Sequence, residues 1–263
     1  MNINTGNGND IVSVPVYVNG VLSRTNDVIR TNGGDDVINP GLGNTDYVYG
    51  GAGFDRLILD YSVDDTGGGM SLYFDPRGYG IGTAQRVGAT PNSRWLDQIQ
   101  FSEIETVTVT GTSKDDTILA GNGDDVLFGG AGNDRIAGGL GADRLTGGLG
   151  NDRFQFELSH SLLGSHDVIT DLEIGKDVID GPNIREIGSS LIRKLGNVVS
   201  LTEAAIQRVL TPTTFGSNGA STFTFGNRTF VAMNNATAGF SAQTDSVIEI
   251  TGYRGNLSDL KIM

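Results

Sequence analysis

Five consecutive nine-residue segments in the middle of the chain share one pattern, and that pattern leaves few folds open. They are GTSKDDTIL (111–119), AGNGDDVLF (120–128), GGAGNDRIA (129–137), GGLGADRLT (138–146) and GGLGNDRFQ (147–155). The sixth residue of each is Asp116, Asp125, Asp134, Asp143 or Asp152, and the eighth is Ile118, Leu127, Ile136, Leu145 or Phe154. A fixed short period is the mark of a solenoid. A flexible Gly/Asn/Asp linker would not keep an apolar residue at every ninth position.

A second, less regular block lies near the N-terminus. Its units are TGNGNDIVS (5–13), LSRTNDVIR (22–30), TNGGDDVIN (31–39), PGLGNTDYVY (40–49, one residue longer) and GGAGFDRLI (50–58). The sixth-position acids here are Asp10, Asp27, Asp36, Asp46 and Asp55, and unit 22–30 is degraded. Residues 14–21 read as a small insertion.

Within a unit, six residues make a tight turn and three make a short strand. Glycine at the turn permits positive φ and close backbone approach. The eighth residue points inward and stacks on its counterparts. Two units complete one coil of a parallel roll, so units n and n+2 share an edge. Alternate carbonyls of an extended turn point in opposite directions, odd positions toward one neighbouring turn and even positions toward the other.

The charge balance demands a counter-ion. The chain has 40 glycines in 263 residues, 37% hydrophobic residues, 19% charged residues and a net charge of -13. Glycine costs backbone entropy on folding, and clustered carboxylates repel. A cation between two turns would meet carbonyl oxygens and aspartates, about six hard oxygens in all, which suits Ca²⁺ better than Mg²⁺. Without Cys or His in the repeats, Zn²⁺ and Cu²⁺ are poor fits.

The expected carboxylate pairs are Asp116 with Asp134, Asp125 with Asp143, Asp134 with Asp152, Asp10 with Asp36, Asp27 with Asp46, and Asp36 with Asp55. Carbonyl donors are expected from Gly121, Gly123, Gly130 and Gly132 on one side, and from Gly138, Leu140, Gly147 and Leu149 on the other. The same turn positions nominate Gly6, Gly8, Gly33, Gly34, Gly50 and Ala52 in the N-terminal block. In the central block they nominate Thr112, Lys114, Gly129, Ala131, Gly139 and Gly141. About six ions would nearly neutralise the chain. At roughly 100-fold excess over Kd each adds about 2.7 kcal/mol, or roughly 16 kcal/mol in all, enough to decide whether a marginal chain folds.

Between the blocks, MSLYF (70–74), DQIQF (97–101) and ETVTVTG (105–111) read as strands. The roll is expected to continue there without calcium, with a loop around Pro76–Pro91. After Phe156, residues 167–181 read as strand, turn, strand. Residues 200–210 read as a helix, with Ser200 and Glu203 as a capping box and Pro212 beyond its end. FTFGNRTFVAM (223–233) reads as a hairpin turning at Gly226–Asn227, and DSVIEITGY (245–253) as a strand.

GGAGNDRIA, GGLGADRLT and GGLGNDRFQ closely resemble the GGxGxDxUx repeat of the RTX (hemolysin-type) family of exported β-roll proteins. The resemblance implies calcium-triggered folding outside the cell. It also implies export by a type I secretion apparatus that reads an uncleaved C-terminal signal. MNINTGNGND, with no basic or apolar leader, agrees, and the tail Asp259-Leu260-Lys261-Ile262-Met263 is similar to such a signal. Residues 167–181 resemble the segment after the roll in serralysin-type proteases, which implies a further ligand at Asp167. The stretch 223–263 is similar to the C-terminal bluetail region of cyanobacterial surface proteins.

The expected architecture is therefore all-β: a parallel β-roll in two blocks, with a small, mostly-β C-terminal domain containing one short helix. The expected division is 1–58, an N-terminal calcium-binding block; 59–110, a calcium-poor continuation with a loop insertion; 111–156, the central calcium-binding roll; and 157–263, a capping and secretion-signal domain. The expected location is extracellular or at the cell surface. The negative charge disfavours nucleic acid and anionic membranes, and no run of about 18 apolar residues would span a membrane. With no cysteine, disulfides and thiolate chemistry are excluded.

The expected role is structural or interactive, without catalysis. His160 and His166 stand outside any HExxH pattern and read as turn or capping residues. No GxSxG, GxxxxGKS or GxGxxG motif is present, and GYGIG (78–82) reads as a plain turn. The alternative is a calcium-dependent carbohydrate-binding or adhesive module that contacts a surface polysaccharide, with Trp95 and Arg94 as a candidate stacking surface. A polysaccharide-modifying enzyme would need a groove of calcium-free acids within 59–110.

Overall fold

The structure is a computed structural model. It describes the chain apart from residues 16, 19–20, 23–24, 44, 63–66, 76–79, 81, 87–96, 158 and 182–191. Arg94, Trp95 and parts of GYGIG and of the Pro76–Pro91 segment lie outside the described residues.

Two sheets face each other, and successive units feed them alternately. With strands numbered in chain order, the first sheet contains β1 (Asn2–Asn4), β5 (Val28–Arg30), β7 (Asp46–Tyr49), β9 (Met70–Phe74), β10 (Gly82–Arg86) and β11 (Asp97–Ser102). It continues with β13 (Thr117–Leu119), β15 (Arg135–Ala137), β17 (Arg153–Gln155) and β19 (Val178–Asp180). The second runs β2 (Ile11–Ser13), β6 (Val37–Asn39), β8 (Arg56–Asp60), β12 (Thr106–Thr110), β14 (Val126–Ala131), β16 (Arg144–Leu149) and β18 (Asp167–Ile169). A two-stranded antiparallel pair, β3 (Tyr17–Val18) with β4 (Val21–Leu22), follows the first unit, and its last residue is the first of the unit 22–30.

The three-residue strands β2, β5, β6, β13, β15, β17 and β19 bury their middle residue, and β18 buries Asp167 and Ile169 on either side of Val168, because alternate side chains of a strand face opposite ways. Ile118 pairs with Ile136, Ile136 with Phe154 and Phe154 with Ile179 in one sheet. Leu127 pairs with Leu145 and Leu145 with Ile169 in the other. All are fully buried. Leu145→Ala is expected to cost about 2–5 kcal/mol, read by denaturant unfolding in saturating calcium. A loss below about 1 kcal/mol would mean that the rungs do not stack this way.

The stretch between the repeat blocks is where the two sheets differ. In the second sheet one strand, β12, bridges β8 to β14, parallel to both. In the first sheet three strands, β11, β10 and β9, fill the space between β7 and β13. Strand β10 is antiparallel to both of its neighbours. Two extra strands widen the first sheet by about 9–10 Å. The loop expected around Pro76–Pro91 therefore contains a strand. GTAQR lacks the apolar alternation that would have signalled it, since only Ala84 is a buried hydrophobic residue there.

The second sheet continues past the roll. Strand β18 pairs in parallel with β23 (Ser246–Ile250), followed by β22 (Arg228–Met233), β21 (Ala220–Phe225) and β20 (Arg193–Asn197). Gly226, at φ +60°, turns the hairpin. Val198, Ile206, Leu210, Phe215, Phe223, Phe230, Phe240 and Val247 form a second core beneath these strands. The helix is shorter than its sequence suggested, Glu203–Gln207, and its cap is Thr202, whose side chain accepts the Ala205 N–H. Ser200 does not cap it; its hydroxyl lies 3.0 Å from that of Thr202. Glu203 instead accepts the Ala242 N–H at 3.0 Å. The end of the chain closes the first sheet: Ile179 and Ile262 form a parallel bridge, and Leu260 and Ile262 are fully buried. Among the described residues no helix is long and apolar enough to cross a membrane.

Candidate metal centres along the roll edges

The turns stack on two edges, and the sixth-position acids hold the stack. On one edge the Asp10 N–H donates to Asp36 Oδ1 (2.7 Å), Asp36 to Asp55 (3.0 Å), Asp125 to Asp143 (2.8 Å) and Asp143 to Asp167 (2.9 Å). On the other, Asp27 donates to Asp46 (2.8 Å), Asp116 to Asp134 (2.8 Å) and Asp134 to Asp152 (2.9 Å). All six pairs expected from the spacing are thus neighbours in space, and Asp167 joins a row.

Each such carboxylate uses one oxygen on the preceding turn, and the second is left over. The Oδ2 atoms of Asp10, Asp36, Asp46, Asp55, Asp125, Asp134, Asp143, Asp152 and Asp167 are buried with no hydrogen-bond partner. A buried, unpaired carboxylate oxygen is expensive. Two aspartates differ. Asp116 accepts Thr112 N–H at Oδ2 (2.6 Å), and Asp27 meets the Met1 ammonium at Oδ1 (2.7 Å) and the Thr25 hydroxyl at Oδ2 (2.5 Å). Asp116 still accepts the Met70 N–H of the preceding turn at Oδ1 (2.6 Å), so only its second oxygen is used differently.

The turn backbone supplies the facing oxygens. Ala131 N–H reaches back to the Thr112 carbonyl (3.1 Å), while the next N–H, of Gly132, reaches forward to that of Leu149 (2.8 Å). Successive peptide groups therefore point to opposite neighbours. The even-position carbonyls of Gly121 and Thr112 face the following turn and accept hydrogen bonds there. The odd-position carbonyls of Gly33, Ala52 and Leu149 face the preceding turn. Each carbonyl keeps a second lone pair.

Position one shows why glycine is needed beside the carboxylate. A Cβ on Gly129 would come within 3.0 Å of both Asp134 Oδ2 and the Gly147 carbonyl oxygen of the next turn. Gly111 holds the same relation to Asp116 Oδ2 and the Gly129 carbonyl, while Gly138 and Gly147 lie under Asp143 and Asp152. An orphaned carboxylate oxygen and a facing carbonyl oxygen thus converge beside a residue that cannot carry a side chain. Hard oxygens so arranged fit Ca²⁺. Among the described residues no three acidic or histidine side chains gather at one point. An ion here would be held by two carboxylates and backbone.

Electrostatics point the same way. Burial pushes the carboxyls of Asp152 and Asp55 up to about 6, Asp46 and Asp143 to about 7, Asp125 and Asp134 to about 8 and Asp167 to about 9. Backbone N–H donors offset part of that rise in each case. These groups resist ionisation where they stand, and a divalent cation would remove the penalty.

The rows include acids that the nine-residue period does not reach. Asp177 Oδ1 accepts the Asp152 N–H at 3.0 Å, and Glu105 Oε2 accepts that of Asp55 at 2.7 Å. Asp171 accepts from Gly147 (3.0 Å) and Gly148 (2.8 Å). Buried Asp97 stands close enough to Asp46 to raise its pKa. The signal for two of them was present: Asp177-Val178-Ile179 and Asp97-Gln98-Ile99 repeat the acid-x-apolar ending of a unit. The histidines stay outside the rows. His166 Nε2 lies 3.1 Å from Arg228 and 3.5 Å from Glu249, and His160 Nε2 lies 3.8 Å from Glu157.

Stacked glycine turns, paired aspartates and alternating carbonyls define a parallel β-roll of the cation-binding type. Four stretches, 23–45, 41–57, 108–136 and 119–154, match the RTX calcium-binding nonapeptide repeat. The chain is a calcium-binding β-roll protein. Unit 5–13 lies outside those matches, yet Asp10 continues the row. No curated protein matches the chain significantly. Among solved structures, the AlgE6R3 subunit from the Azotobacter vinelandii mannuronan C5-epimerase is similar. It is 26% identical over 60% of this chain and 77% of its own length, with a TM-score of 0.40.

Proposed function

We propose that this is an extracellular or cell-surface protein without catalytic activity, whose roll folds on meeting extracellular calcium. The observation that carries the reading is the row of buried, unpartnered Oδ2 atoms facing carbonyl oxygens. Ions are assigned to the six expected aspartate pairs, with Asp143–Asp167 and Asp152–Asp177 as two more. Far-UV circular dichroism in EGTA and then in excess CaCl₂ tests it. Gain of strand signal with calcium is expected, and an unchanged spectrum would sink the proposal.

Export through a type I apparatus is proposed on the form of the C-terminal tail. Leu260 and Ile262 are buried in the fold, so the tail is readable only before folding. Deleting 245–263 would also remove β23 from between β18 and β22. The cleaner experiment grafts 245–263 onto a carrier protein in cells with a matching transporter. A carrier that stays inside refutes the assignment.

Calcium-dependent carbohydrate binding is the second reading, favoured by a groove. Cavities of about 450, 370 and 340 Å³ share walls, the first two at Gly51 and Glu103, the last two at Phe74, Gly121 and Asn122. Phe54 and Tyr73 expose their rings there. A glycan array run with and without calcium decides it; no calcium-dependent hit removes the reading.

A further inference from the structure

On one edge of the roll, the six-residue turn 50–55 is followed by a turn of three. Gly50 donates its N–H to the Ser102 carbonyl (3.1 Å), and Arg56 pairs with Thr106. Glu103 therefore stands at position one of the next turn and Glu105 at position six. The three missing residues leave a cavity of about 370 Å³ lined by Ile104, Phe54, Phe74 and Asn122 among others.

The short turn reproduces the atoms of the full ones. Glu105 Oε2 takes the Asp55 N–H, as a sixth-position aspartate does elsewhere. The Glu103 carbonyl oxygen faces back onto Gly50, beside Asp55 Oδ2. That Oδ2 is buried and unpartnered, on a residue with no exposed surface. The same pair of atoms recurs at Gly129, where Asp134 Oδ2 meets the Gly147 carbonyl.

We infer that Asp55 Oδ2, the Glu103 carbonyl and the Glu105 carboxylate form a calcium site of mixed parentage, half from a nonapeptide repeat and half from sequence outside any repeat. All three donors are hard oxygens, and water admitted through the cavity completes the six to eight ligands that Ca²⁺ takes. The site rests on the reading that the orphaned edge oxygens bind calcium. It goes further by placing an ion in the stretch that the sequence marks as calcium-poor. There the ion ties the N-terminal repeats to the strand leading into the central ones, so the two blocks share ligands.

Native mass spectrometry at saturating calcium tests the site on the full chain, with Glu105→Gln and Glu105→Ala as variants and circular dichroism confirming their fold. Each variant is expected to carry one ion fewer than wild type; an equal count overturns the inference. Should the variants not fold, anomalous scattering from wild-type crystals in calcium answers instead. A peak about 2.3–2.6 Å from both Asp55 Oδ2 and the Glu103 carbonyl is expected. Peaks at other turns with none here overturn the site alone. No peak at any turn overturns the calcium reading beneath it as well.

Discussion

Stripped of calcium, the roll is expected to be more stable at pH 5 than at pH 8. Asp46, Asp55, Asp125, Asp134, Asp143, Asp152 and Asp167 have folded-state pKa values raised to between about 6 and 9 by burial. In the unfolded chain each returns to the ordinary aspartate value of 3.8. The folded state therefore holds more protons through this window, and its stability falls as pH rises. The stabilisation is fully present below about pH 4 and is lost as pH climbs through 6 to 9. Each group that keeps an extra proton steepens the fall by about 1.4 kcal/mol per pH unit, so several acting together melt a marginal fold.

Calcium reverses this dependence. It needs the ionised carboxylates, so it takes over the proton's role above about pH 8. The measurement is thermal unfolding in EGTA from pH 4 to 9, repeated in millimolar calcium. Metal-free stability that rose with pH would contradict the burial of these groups.

Gly132→Ala is expected to cost more than about 4 kcal/mol, in the range of the most damaging substitutions, whereas Gly8→Ala is expected to stay within about 1 kcal/mol. Both glycines occupy the fourth position of a unit. Gly132 has φ +116°, where an L side chain is strained, and a Cβ there would come within 3.0 Å of the Lys114 carbonyl and the Asp115 nitrogen. It also donates to the Leu149 carbonyl of the next turn, so a shift there disturbs two interfaces. Gly8 lies in the outermost described turn. Nothing lies within 4 Å of its added Cβ, and its φ is not left-handed. Melting temperatures in saturating calcium separate the two. Equal losses would mean that glycine is required by the unit itself, not by stacking.

Much of the roll was legible because one rule is repeated. The period placed Asp134 between Asp116 and Asp152, and the hydrogen bonds join those three. Carbonyl parity also followed from the unit, since an extended turn must alternate its peptide groups. Legibility failed where the rule lapsed. Strand β10 carries one buried apolar residue and owes its place to pairing with β9 and β11. Glu105 falls outside the rule because its turn lacks three residues and its acid is glutamate. At the helix, two nearby hydroxyl residues could serve as the cap, and it is Thr202 whose side chain accepts the Ala205 N–H.

The nine-residue repeat by itself determined that this chain coils, that its aspartates line the edges in pairs and that calcium suits the oxygens gathered there. Those are local consequences of glycine, aspartate and one apolar residue recurring in step. Only the tertiary structure decided which acids outside the repeat join the rows, and which oxygens are left without a partner. It also decided that the first sheet carries two strands more than the second where the blocks meet, and that the chain's last residues close the roll. Those outcomes depend on which strands lie side by side, and residues as far apart as Asp55 and Glu105, or Ile179 and Ile262, meet only when the coil is wound.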